Sequence, residues 1–423
     1  MRTLTTSAPS RALTAQSAYV HFPFCRRRCH YCDFPVIPVG DRPHAADGPA
    51  SSYTNLLLRE LACLPDPSPS SPPLRSVYFG GGTPSLTPPP LLAQTIESIR
   101  AKFGLADDAE TTLEMDPGTF DAARLREFVD AGVTRVSVGV QSFDDDLLRA
   151  SGRAHGVAEV EEALGLLLDE AASPASPLRS VSLDLIGGLP QQTMASWRSS
   201  LARAAASGAH HVSVYDLQIE PRTAFGRWFD AGTLTALPSE EDAADMFREA
   251  AATLGAAGFE HYEVSSYGRP GHRSRHNGAY WRNEPFHALG LGATSHADGR
   301  RLARPRKLKE YEAYVDELEQ TGWAAAQAAR GELEEGADAL TTYIMLQLRT
   351  GDGLRFGDEL AAAHGEELAA AAAAACEDAA RELSAEWVEL DEGRMRLRDP
   401  EGLLFSNEAI ATVFARLDER LEK

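Results

Sequence analysis

Three cysteines lie within eight residues near the start of the chain. Cys25, Cys29 and Cys32 are separated by three and then two residues. This spacing places three thiolates on one short loop, where they can bind a single inorganic centre. A structural zinc ion takes four ligands, so His30 or His21 would have to complete its tetrahedron. A cubane iron–sulfur cluster takes one thiolate per iron, and three cysteines leave its fourth iron open.

The rest of the sequence favours the iron–sulfur cluster. The loop lacks the second ligand pair of a zinc ribbon, and Cys63 and Cys376 lie far away without ligand spacing. A chance arrangement of buried cysteines is a third alternative, but free cysteines usually occur singly as small apolar residues. We therefore expect a [4Fe-4S] cluster at Cys25, Cys29 and Cys32.

The segment around these cysteines resembles the radical S-adenosylmethionine (SAM) superfamily. The C-x-x-x-C-x-x-C loop follows a strand-like Tyr-Val-His-Phe segment at residues 19–22. Its Tyr-x-His-x-Pro-Phe-Cys lead-in is similar to the branch that holds the oxygen-independent coproporphyrinogen III oxidases and the HemW-type heme chaperones. The resemblance implies that SAM chelates the open iron and that an electron from the cluster can split its sulfonium.

A glycine-rich turn follows the next predicted strand. Gly80, Gly81 and Gly82 precede Thr83, and three glycines allow positive φ angles and can present successive N–H groups to an anion. Such a turn alone is weak evidence of a ligand. Its place one strand after the cysteines is similar to the superfamily's glycine motif, which implies contact with the amino-acid moiety of SAM.

Polar residues also occur at or after the later predicted strands. Each one alone is equally explained as a structural polar group with satisfied hydrogen bonds. Their order and spacing, however, resemble the pattern of the same branch. That resemblance implies SAM contacts at Glu114, Gln141, Arg153 and Asp184, and by the same motif matching at Tyr19 and Tyr31.

Two features distinguish the subclasses of this branch. The oxidases carry a fourth cysteine two residues after the third, where this chain has Phe34. His276 begins an H-N-x-x-Y-W hexapeptide, the signature of the HemW-type chaperones. The resemblance implies heme binding, with His276 as an iron ligand and Tyr280 and Trp281 as flat apolar faces. Nearby arginines that can pair with heme propionates are Arg273, Arg275 and Arg282.

Strand-like and helical segments alternate along the first half of the chain. Strands are predicted at 19–22, 76–79, 112–115, 135–140, 180–186 and 211–217, with helices at 89–102, 121–131, 157–170 and 194–207. Repeated βα units predict an α/β fold with a parallel sheet. Six units are too few for an eight-stranded barrel, so we expect an open, partial barrel with its chemistry at the carboxyl ends of the strands. Residues 262–264 are a candidate seventh strand.

The alternation stops near residue 302. Helices are predicted at 304–320, 338–348 and 361–383, and a hairpin at 388–397. We therefore expect three regions. Residues 1–17 form a disordered terminus or a transit-peptide remnant, residues 18–300 a radical SAM partial barrel with a heme-binding segment near 272–282, and residues 301–423 a small helical, winged-helix-like domain.

Composition limits the partners and the compartment. The formal net charge is −21 and the pI is near 5.0, which argues against nucleic acid as a partner. No apolar run approaches the roughly 20 residues that span a bilayer. Few cysteines indicate a reducing compartment. We expect the cytoplasm, with a mitochondrion or plastid as the alternative because residues 1–18 carry two arginines and no acid.

The resemblance as a whole implies a HemW-type heme chaperone that binds a [4Fe-4S] cluster, SAM and heme and passes heme to acceptor apoproteins. An electron donor such as flavodoxin or ferredoxin is implied as well. The arginine run 26–28 is either a solvated loop or a docking site for an anionic cofactor or for such an acidic donor. The main alternative is a coproporphyrinogen III oxidase, and a more distant one is a zinc-stabilised interaction domain.

Overall fold

A computed structural model describes residues 15–40, 48–391 and 393–422. The terminal segment predicted for residues 1–17 lies almost entirely outside this part. The amino-terminal strands are β1 (Ser17–Phe22), β2 (Phe24–Cys25), β3 (Ile37–Pro38), β4 (Leu74–Gly81), β5 (Leu105–Met115), β6 (Arg135–Gln141), β7 (Ser180–Gly187), β8 (His211–Asp216), β9 (Glu260–Glu263), β10 (Ser266–Gly268) and β11 (His287–Leu289).

All of these strands except β2 and β3 form a nine-stranded sheet in the order β11-β1-β4-β5-β6-β7-β8-β10-β9 within the described residues. The pairs from β11 to β8 are parallel, while β10 pairs antiparallel with both β8 and β9. The sheet has two edges and does not close, which confirms the open partial barrel. Buried valines such as Val136, Val138 and Val140 fill its centre, as expected of strands covered on both faces.

All six predicted βα strands are present. The prediction that residues 262–264 add a seventh βα unit is wrong. That segment overlaps β9, which is an antiparallel edge strand and not a seventh βα unit. The seventh parallel strand is β11, on the other edge beside β1. A three-residue strand has no detectable periodicity of its own, so only the pairing with β1 reveals it.

Helices cover the parallel strands. They are α1 (Pro49–Cys63), α2 (Pro89–Phe103), α3 (Ala122–Asp130), α4 (Asp145–Ala150), α5 (Val157–Ala172), α6 (Met194–Ala206), α7 (Ala224–Asp230), α8 (Glu240–Ala256) and α9 (Arg275–Trp281). Side-chain caps fix several of their starts, for example Asp121 before α3 and Thr193 before α6. The loops that leave the parallel strands therefore lie at the carboxyl edge of the sheet, before the helices begin.

The remaining elements lie beyond the barrel strands. They are β12 (Thr294–Ala297), β13 (Arg300–Ala303), α10 (Leu308–Thr321), α11 (Trp323–Arg330), β14 (Glu332–Leu333), α12 (Gly336–Leu348), β15 (Leu354–Arg355), α13 (Asp358–His364), α14 (Glu366–Glu382), β16 (Val388–Asp391), β17 (Arg394–Leu397), α15 (Glu401–Leu404) and α16 (Ser406–Leu421). The predicted hairpin is present as β16–β17. The predicted 361–383 helix is divided, because Gly365 has φ 90° and separates α13 from α14.

The chain packs around two main cores. The barrel core includes Tyr311, Val315 and Trp323, so α10 and α11 pack with the barrel beyond the predicted boundary at residue 300. A second core begins at Leu340 and ends at Leu417. We call the elements from α12 to α16 the C-terminal unit. It is helical with one three-stranded antiparallel sheet, as expected of a winged-helix-like domain. No helix in the described ranges has both the length and the apolarity to cross a membrane.

Candidate functional site

A cavity of about 360 Å³ opens at the carboxyl ends of the parallel strands. We call it the strand-end cavity. Side chains that end or follow parallel strands meet at this edge of a sheet. Most of the predicted cluster and SAM residues line the cavity, namely Cys25, Cys29, Cys32, Tyr31, Gly81, Gly82, Thr83, Glu114, Gln141, Arg153 and Asp184. Tyr19, Gly80 and His276 are not among its lining residues.

The cysteine loop is held in shape by the segment that follows it. Strands β2 and β3 pair in parallel and close the base of the loop. The Arg28 guanidinium donates to three carbonyls of the same segment, those of Cys32, Phe34 and Val36, at 3.3, 3.1 and 3.0 Å. Arg28 therefore stabilises the loop, and its guanidinium is already engaged and does not belong to a basic surface for a partner.

The sulfur environments suit ligation of a cationic centre. Burial raises the pKa of the Cys25 thiol to about 12 and raises that of Cys32 as well. These thiols are protonated at neutral pH unless a positive centre stabilises the thiolates, as iron does. The Thr83 hydroxyl donates to the Cys25 sulfur at 3.6 Å. The loop thus supplies three sulfurs, and Thr83 after β4 supplies a donor to one of them.

A zinc site would need His30 or His21 as its fourth ligand, and both rings are hydrogen-bonded within the protein, His21 through both of its nitrogens. His30 Nδ1 lies 2.9 Å from the Ala150 carbonyl oxygen, and His21 Nε2 lies 3.0 Å from that of Pro35. Within the part of the chain that the structure describes, no three His, Cys, Asp or Glu side chains are placed to hold one metal ion. A cubane cluster does not need such convergence, since each sulfur binds a different iron.

The N–H groups of the glycine turn are hydrogen-bonded within the protein. The Gly81 N–H donates to Glu114 Oε2 at 3.0 Å. The N–H groups of Gly82 and Thr83 donate to backbone carbonyls of the cysteine segment at 2.8 and 2.7 Å. These bonds arise because the end of β4 runs directly alongside the cysteine segment.

Close approach of backbone explains why glycine occupies these positions. Gly81 has φ 110°, and a Cβ there would lie 2.3 Å from the His21 ring. A Cβ at Gly82 would lie 2.7 Å from the Phe24 carbonyl oxygen. The glycines therefore let β4 and the start of the cysteine loop meet, and this contact defines one wall of the strand-end cavity.

Two carboxylates enter the strand-end cavity from neighbouring strands. Tyr78 donates to Glu114 at 2.8 Å, and Ser137 donates to Asp184 at 3.1 Å. Burial raises the pKa of Glu114 to about 7 and that of Asp184 to about 6, despite these hydrogen bonds. A positively charged ligand would restore the favoured ionised form of both groups. SAM carries both a sulfonium and an ammonium, so the two carboxylates suit it as a ligand.

Arg153 joins the cysteine loop to the strand ends. Its NH1 group donates to the Cys29 sulfur at 3.4 Å and to the Tyr31 hydroxyl at 3.2 Å. Its NH2 group donates to Asp116 and, at 2.7 Å, to the Gly139 carbonyl. Burial opposes ionisation of Asp116, but the adjacent Arg153 and His155 hold the pKa of this carboxyl below its usual value.

Asp116 is a site residue that sequence reasoning missed. It follows β5 directly in Leu-Glu-Met-Asp-Pro, two positions after Glu114, and lines the strand-end cavity. Its position just past a strand end was the signal in the sequence that could have identified it.

Gln141, which was predicted as a SAM contact, ends β6 with φ 67°. This conformation is uncommon for a residue other than glycine and often marks functional sites.

Tyr19 and Gly80 lie one layer behind the cavity wall. The Tyr19 hydroxyl lies 3.0 Å from His21 Nδ1, and its ring is stacked 6.1 Å from that of Tyr78. A Cβ at Gly80 would lie 2.8 Å from the Tyr78 ring and 3.0 Å from Glu114. In this structure both residues support the side chains that hold Glu114 and do not face the cavity.

His276 lies at the opposite end of the barrel, where β4 begins. The ring is fully buried, with Nδ1 2.9 Å from the Ser76 hydroxyl and Nε2 2.8 Å from the Tyr280 hydroxyl. Burial lowers the pKa of His276 to about 3, so the ring is neutral, which is the form that binds iron. The chemistry suits a heme ligand, but iron can reach Nε2 only when the ring releases Tyr280.

The chain matches the model of the Radical SAM superfamily over residues 19–204. It is 39% identical to "Heme chaperone HemW" of Synechocystis sp., over 96% of this chain and 98% of that protein. The chain belongs to the HemW family of radical SAM proteins. HemW of Escherichia coli is 37% identical over 68% of this chain and 72% of its own length. A mouse relative, "Radical S-adenosyl methionine domain-containing protein 1, mitochondrial", is 37% identical over 75% of this chain and 67% of its own length.

The fold of this HemW-family chain is shared with a solved enzyme. The structure described as "Coproporphyrinogen III oxidase (HemN) from Escherichia coli is a Radical SAM enzyme" aligns with a TM-score of 0.76. The alignment covers 96% of this chain and 90% of that one at 23% identity. This likeness confirms the architecture of barrel and C-terminal unit. It does not decide between a chaperone and an oxidase.

Proposed function

We propose that this protein is a heme chaperone that binds a [4Fe-4S] cluster, SAM and heme and transfers heme to acceptor apoproteins. The observation that carries the proposal is the near full-length similarity to a protein named heme chaperone, together with the H-N-x-x-Y-W hexapeptide at His276. Phe34, in the position of the oxidases' additional cysteine, supports a chaperone over an oxidase.

The strand-end cavity is the proposed site of the cluster and SAM. Cys25, Cys29 and Cys32 would ligate three irons, and SAM bound there would chelate the fourth and supply the reductively cleavable sulfonium. Around it, Glu114 and Asp184 provide negative charge for the cationic groups. The further SAM contacts that we propose are Tyr31, Gly81, Gly82, Thr83, Gln141 and Arg153, with Tyr19 and Gly80 in support behind the wall.

The exposed Arg27 marks the proposed docking point for an acidic electron donor such as flavodoxin or ferredoxin. It lines the mouth of the strand-end cavity, whereas Arg28 is engaged with the loop carbonyls. In a chain with a formal charge of −21, a cation at this mouth gives an acidic partner a local point of attraction. All five cysteines are free, and we propose the cytoplasm as the location.

Metal content tests the cluster. Anaerobic reconstitution should give about four irons per chain, as one cubane requires. Cys25→Ser, Cys29→Ser or Cys32→Ser should remove most of the iron and the brown absorbance. Cys63→Ser and Cys376→Ser are matched controls and should keep both. Stoichiometric zinc without iron in the wild-type protein would refute this assignment.

Heme titration and an oxidase assay on the same reconstituted sample test the function. The expected result is saturable heme binding near one per chain and no conversion of coproporphyrinogen with SAM and reductant present. His276→Ala should weaken heme binding and leave the iron–sulfur spectrum unchanged. Formation of protoporphyrinogen without a saturable heme site would show that the protein is an oxidase.

A second variant separates ligation by His276 from its structural role. Tyr280→Phe removes the hydroxyl that engages Nε2 but keeps the aromatic ring. If His276 binds iron, Tyr280→Phe should bind heme as tightly as the wild type or more tightly, with the same Soret spectrum. If both variants lose heme binding equally, the hydrogen bond stabilises the segment and His276 is not the ligand.

A further inference from the structure

A second cavity of about 780 Å³ lies between the barrel and the C-terminal unit. We call it the interdomain cavity. One side is formed by the starts of β1 and β4 and by the H-N-x-x-Y-W segment, and the other by α12, β15 and α13. The Gln347 side chain donates to the Trp281 carbonyl at 2.7 Å and links the two sides. The volume is within the usual range for sites of ligands as large as a drug or cofactor.

The walls of this cavity are partly flat and apolar. Trp281 contributes from α9 and Tyr343 from α12, while Ala279 and Ala363 add small side chains on either side. Ser76, whose hydroxyl contacts His276 Nδ1, also lines the cavity. The His276 ring therefore lies directly behind the wall, and a planar aromatic ligand in the cavity would be one side chain away from it.

The charges that line the cavity are mostly positive. Five arginines face three acids in a chain that is strongly acidic overall. Arg273 pairs with Asp352 at 3.3 Å, and Arg282 with Glu284 at 2.6 Å. Arg275 pairs with a residue outside the cavity lining. These three arginines, which the sequence suggested as propionate partners, are already engaged with carboxylates.

The other two arginines have no such engagement. Arg75 near the start of β4 and Arg355 in β15 are exposed, and neither side chain forms a hydrogen bond or ion pair with any residue that the structure describes. They belong to different units and lie on opposite sides of the cavity. Glu359 is the remaining acid of the lining and forms no ion pair with either arginine among the described residues.

We propose that Arg75 and Arg355 bind the two carboxylates of a planar dianionic porphyrin seated in the interdomain cavity. The identification of this ligand as heme rests on the proposed function. Guanidinium groups recognise carboxylates through paired N–H donors, and the flat side chains cover the apolar face of a macrocycle. The C-terminal unit thereby supplies one of the two carboxylate contacts and is part of the heme site.

Titration with three probes tests this site on the full-length protein. Hemin carries iron and two carboxylates, protoporphyrin IX lacks the iron, and hemin dimethyl ester lacks the carboxylate charges. Arg75→Gln and Arg355→Gln should each raise the Kd for hemin and protoporphyrin IX about three- to tenfold, and the double variant more. The ester should bind all variants equally. Arg126→Gln, another exposed arginine, serves as the charge control.

The outcomes separate this site from the proposed function. If hemin binds the wild type and the double variant equally well, heme binds elsewhere and the interdomain site is wrong, while the chaperone proposal stands. If the wild type binds neither hemin nor protoporphyrin IX, both are wrong. If protoporphyrin IX binds with arginine dependence and hemin does not compete with it, the site takes a porphyrin and the heme function fails.

Discussion

At the scale of single residues, the strand-end cavity combines one firmly hydrogen-bonded arginine with two carboxyl groups whose ionisation is disfavoured by burial. Arg153 is fixed by Asp116 and the Gly139 carbonyl while it donates to the Cys29 sulfur. Glu114 and Asp184, in contrast, have raised pKa values and lack a direct cationic partner among the described residues. The first arrangement places a donor on a proposed cluster sulfur, and the second supplies negative charge that suits a cationic ligand.

Arg153 should raise the reduction potential of the cluster. A donor to a ligating sulfur stabilises the more negative reduced state. Arg153→Gln should therefore lower the midpoint potential by an amount on the order of tens of millivolts, since hydrogen bonds to sulfur are one of several factors that set it. Redox titration followed by electron paramagnetic resonance, without SAM, measures this directly.

Asp116→Asn provides the test of positioning for the same group. It keeps the size of Asp116 but removes the charge that fixes the guanidinium. Because the loss of a negative charge near the cysteines by itself raises the potential, any decrease should be smaller than in Arg153→Gln. Arg153→Lys keeps a donor and should recover part of the loss. A potential that is unchanged in Arg153→Gln would show that the contact with Cys29 has no electronic effect.

Glu114 should make the ligand-free protein less stable as the pH rises. Its pKa is about 7 in the folded chain against an ordinary value of 4.5, so between these values the folded state holds a proton that the unfolded state has lost. The free energy of unfolding should therefore fall as the pH rises from about 4.5 to about 7. Glu114→Gln should reduce this dependence and unfold at a higher temperature at pH 8.

SAM affinity should respond in the opposite direction. Deprotonated Glu114 and Asp184 attract its cationic groups, so binding should strengthen as the pH rises from 6 to 8, and Glu114→Gln should weaken it. Thermal unfolding and isothermal titration across this range give both curves. A Glu114→Gln protein that is no more stable at pH 8 would contradict the raised pKa.

At the scale of elements, the site depends on how closely the ends of β1 and β4 meet. Gly81→Ala should destabilise the fold with or without SAM, because the new Cβ overlaps the His21 ring and the positive φ is strained. Gly132→Ala is the matched control, since Gly132 has φ 108° but a Cβ added there would have no neighbouring atom within 4 Å. Gly132→Ala should cost about 1 kcal/mol and Gly81→Ala at least twice that.

Denaturant unfolding of the two alanine variants decides this point. Equal losses of stability would show that backbone conformation, and not the contact with His21, explains why glycine is required at position 81.

The same contact affects the choice of variants for testing the SAM site. A larger substitution such as Gly81→Val would lose SAM binding through disruption of the fold, so charge variants of Glu114 and Asp184 are the sharper tests of SAM contact.

Local spacing made much of this arrangement predictable. The cysteine loop, the six strands and their polar ends follow from patterns of a few residues, and a parallel sheet brings those ends together whatever the details. What depends on distant partners was not predictable. The burial of His276 depends on Ser76, 200 positions earlier, and the role of Asp116 depends on the loop that carries Arg153. The division of the predicted 361–383 helix was also missed, although its cause is local, because Gly365 interrupts a strongly helical, alanine-rich segment.

At the scale of the whole molecule, the position of the C-terminal unit decides whether the interdomain cavity exists. Arg248 on α8 of the barrel forms a two-point ion pair with Glu401 on α15, at 2.7 and 3.0 Å. His261 and Asp399 make a second contact at 2.6 Å between the same two units. None of these four residues lines either cavity, so they can be changed without replacing a proposed ligand contact.

The Arg248–Glu401 pair should therefore control heme affinity from a distance. A double-mutant cycle with Arg248→Ala and Glu401→Ala should give a coupling energy of about 0.5–1 kcal/mol, since the pair is two-pronged but partly exposed. Hydrogen exchange in α12 should become faster in each variant, and the Kd for hemin should rise about two- to fivefold. The cluster and SAM spectra should not change, because the strand-end cavity belongs to the barrel alone. Faster exchange in α12 with unchanged hemin affinity would mean that heme binds the barrel without the C-terminal unit.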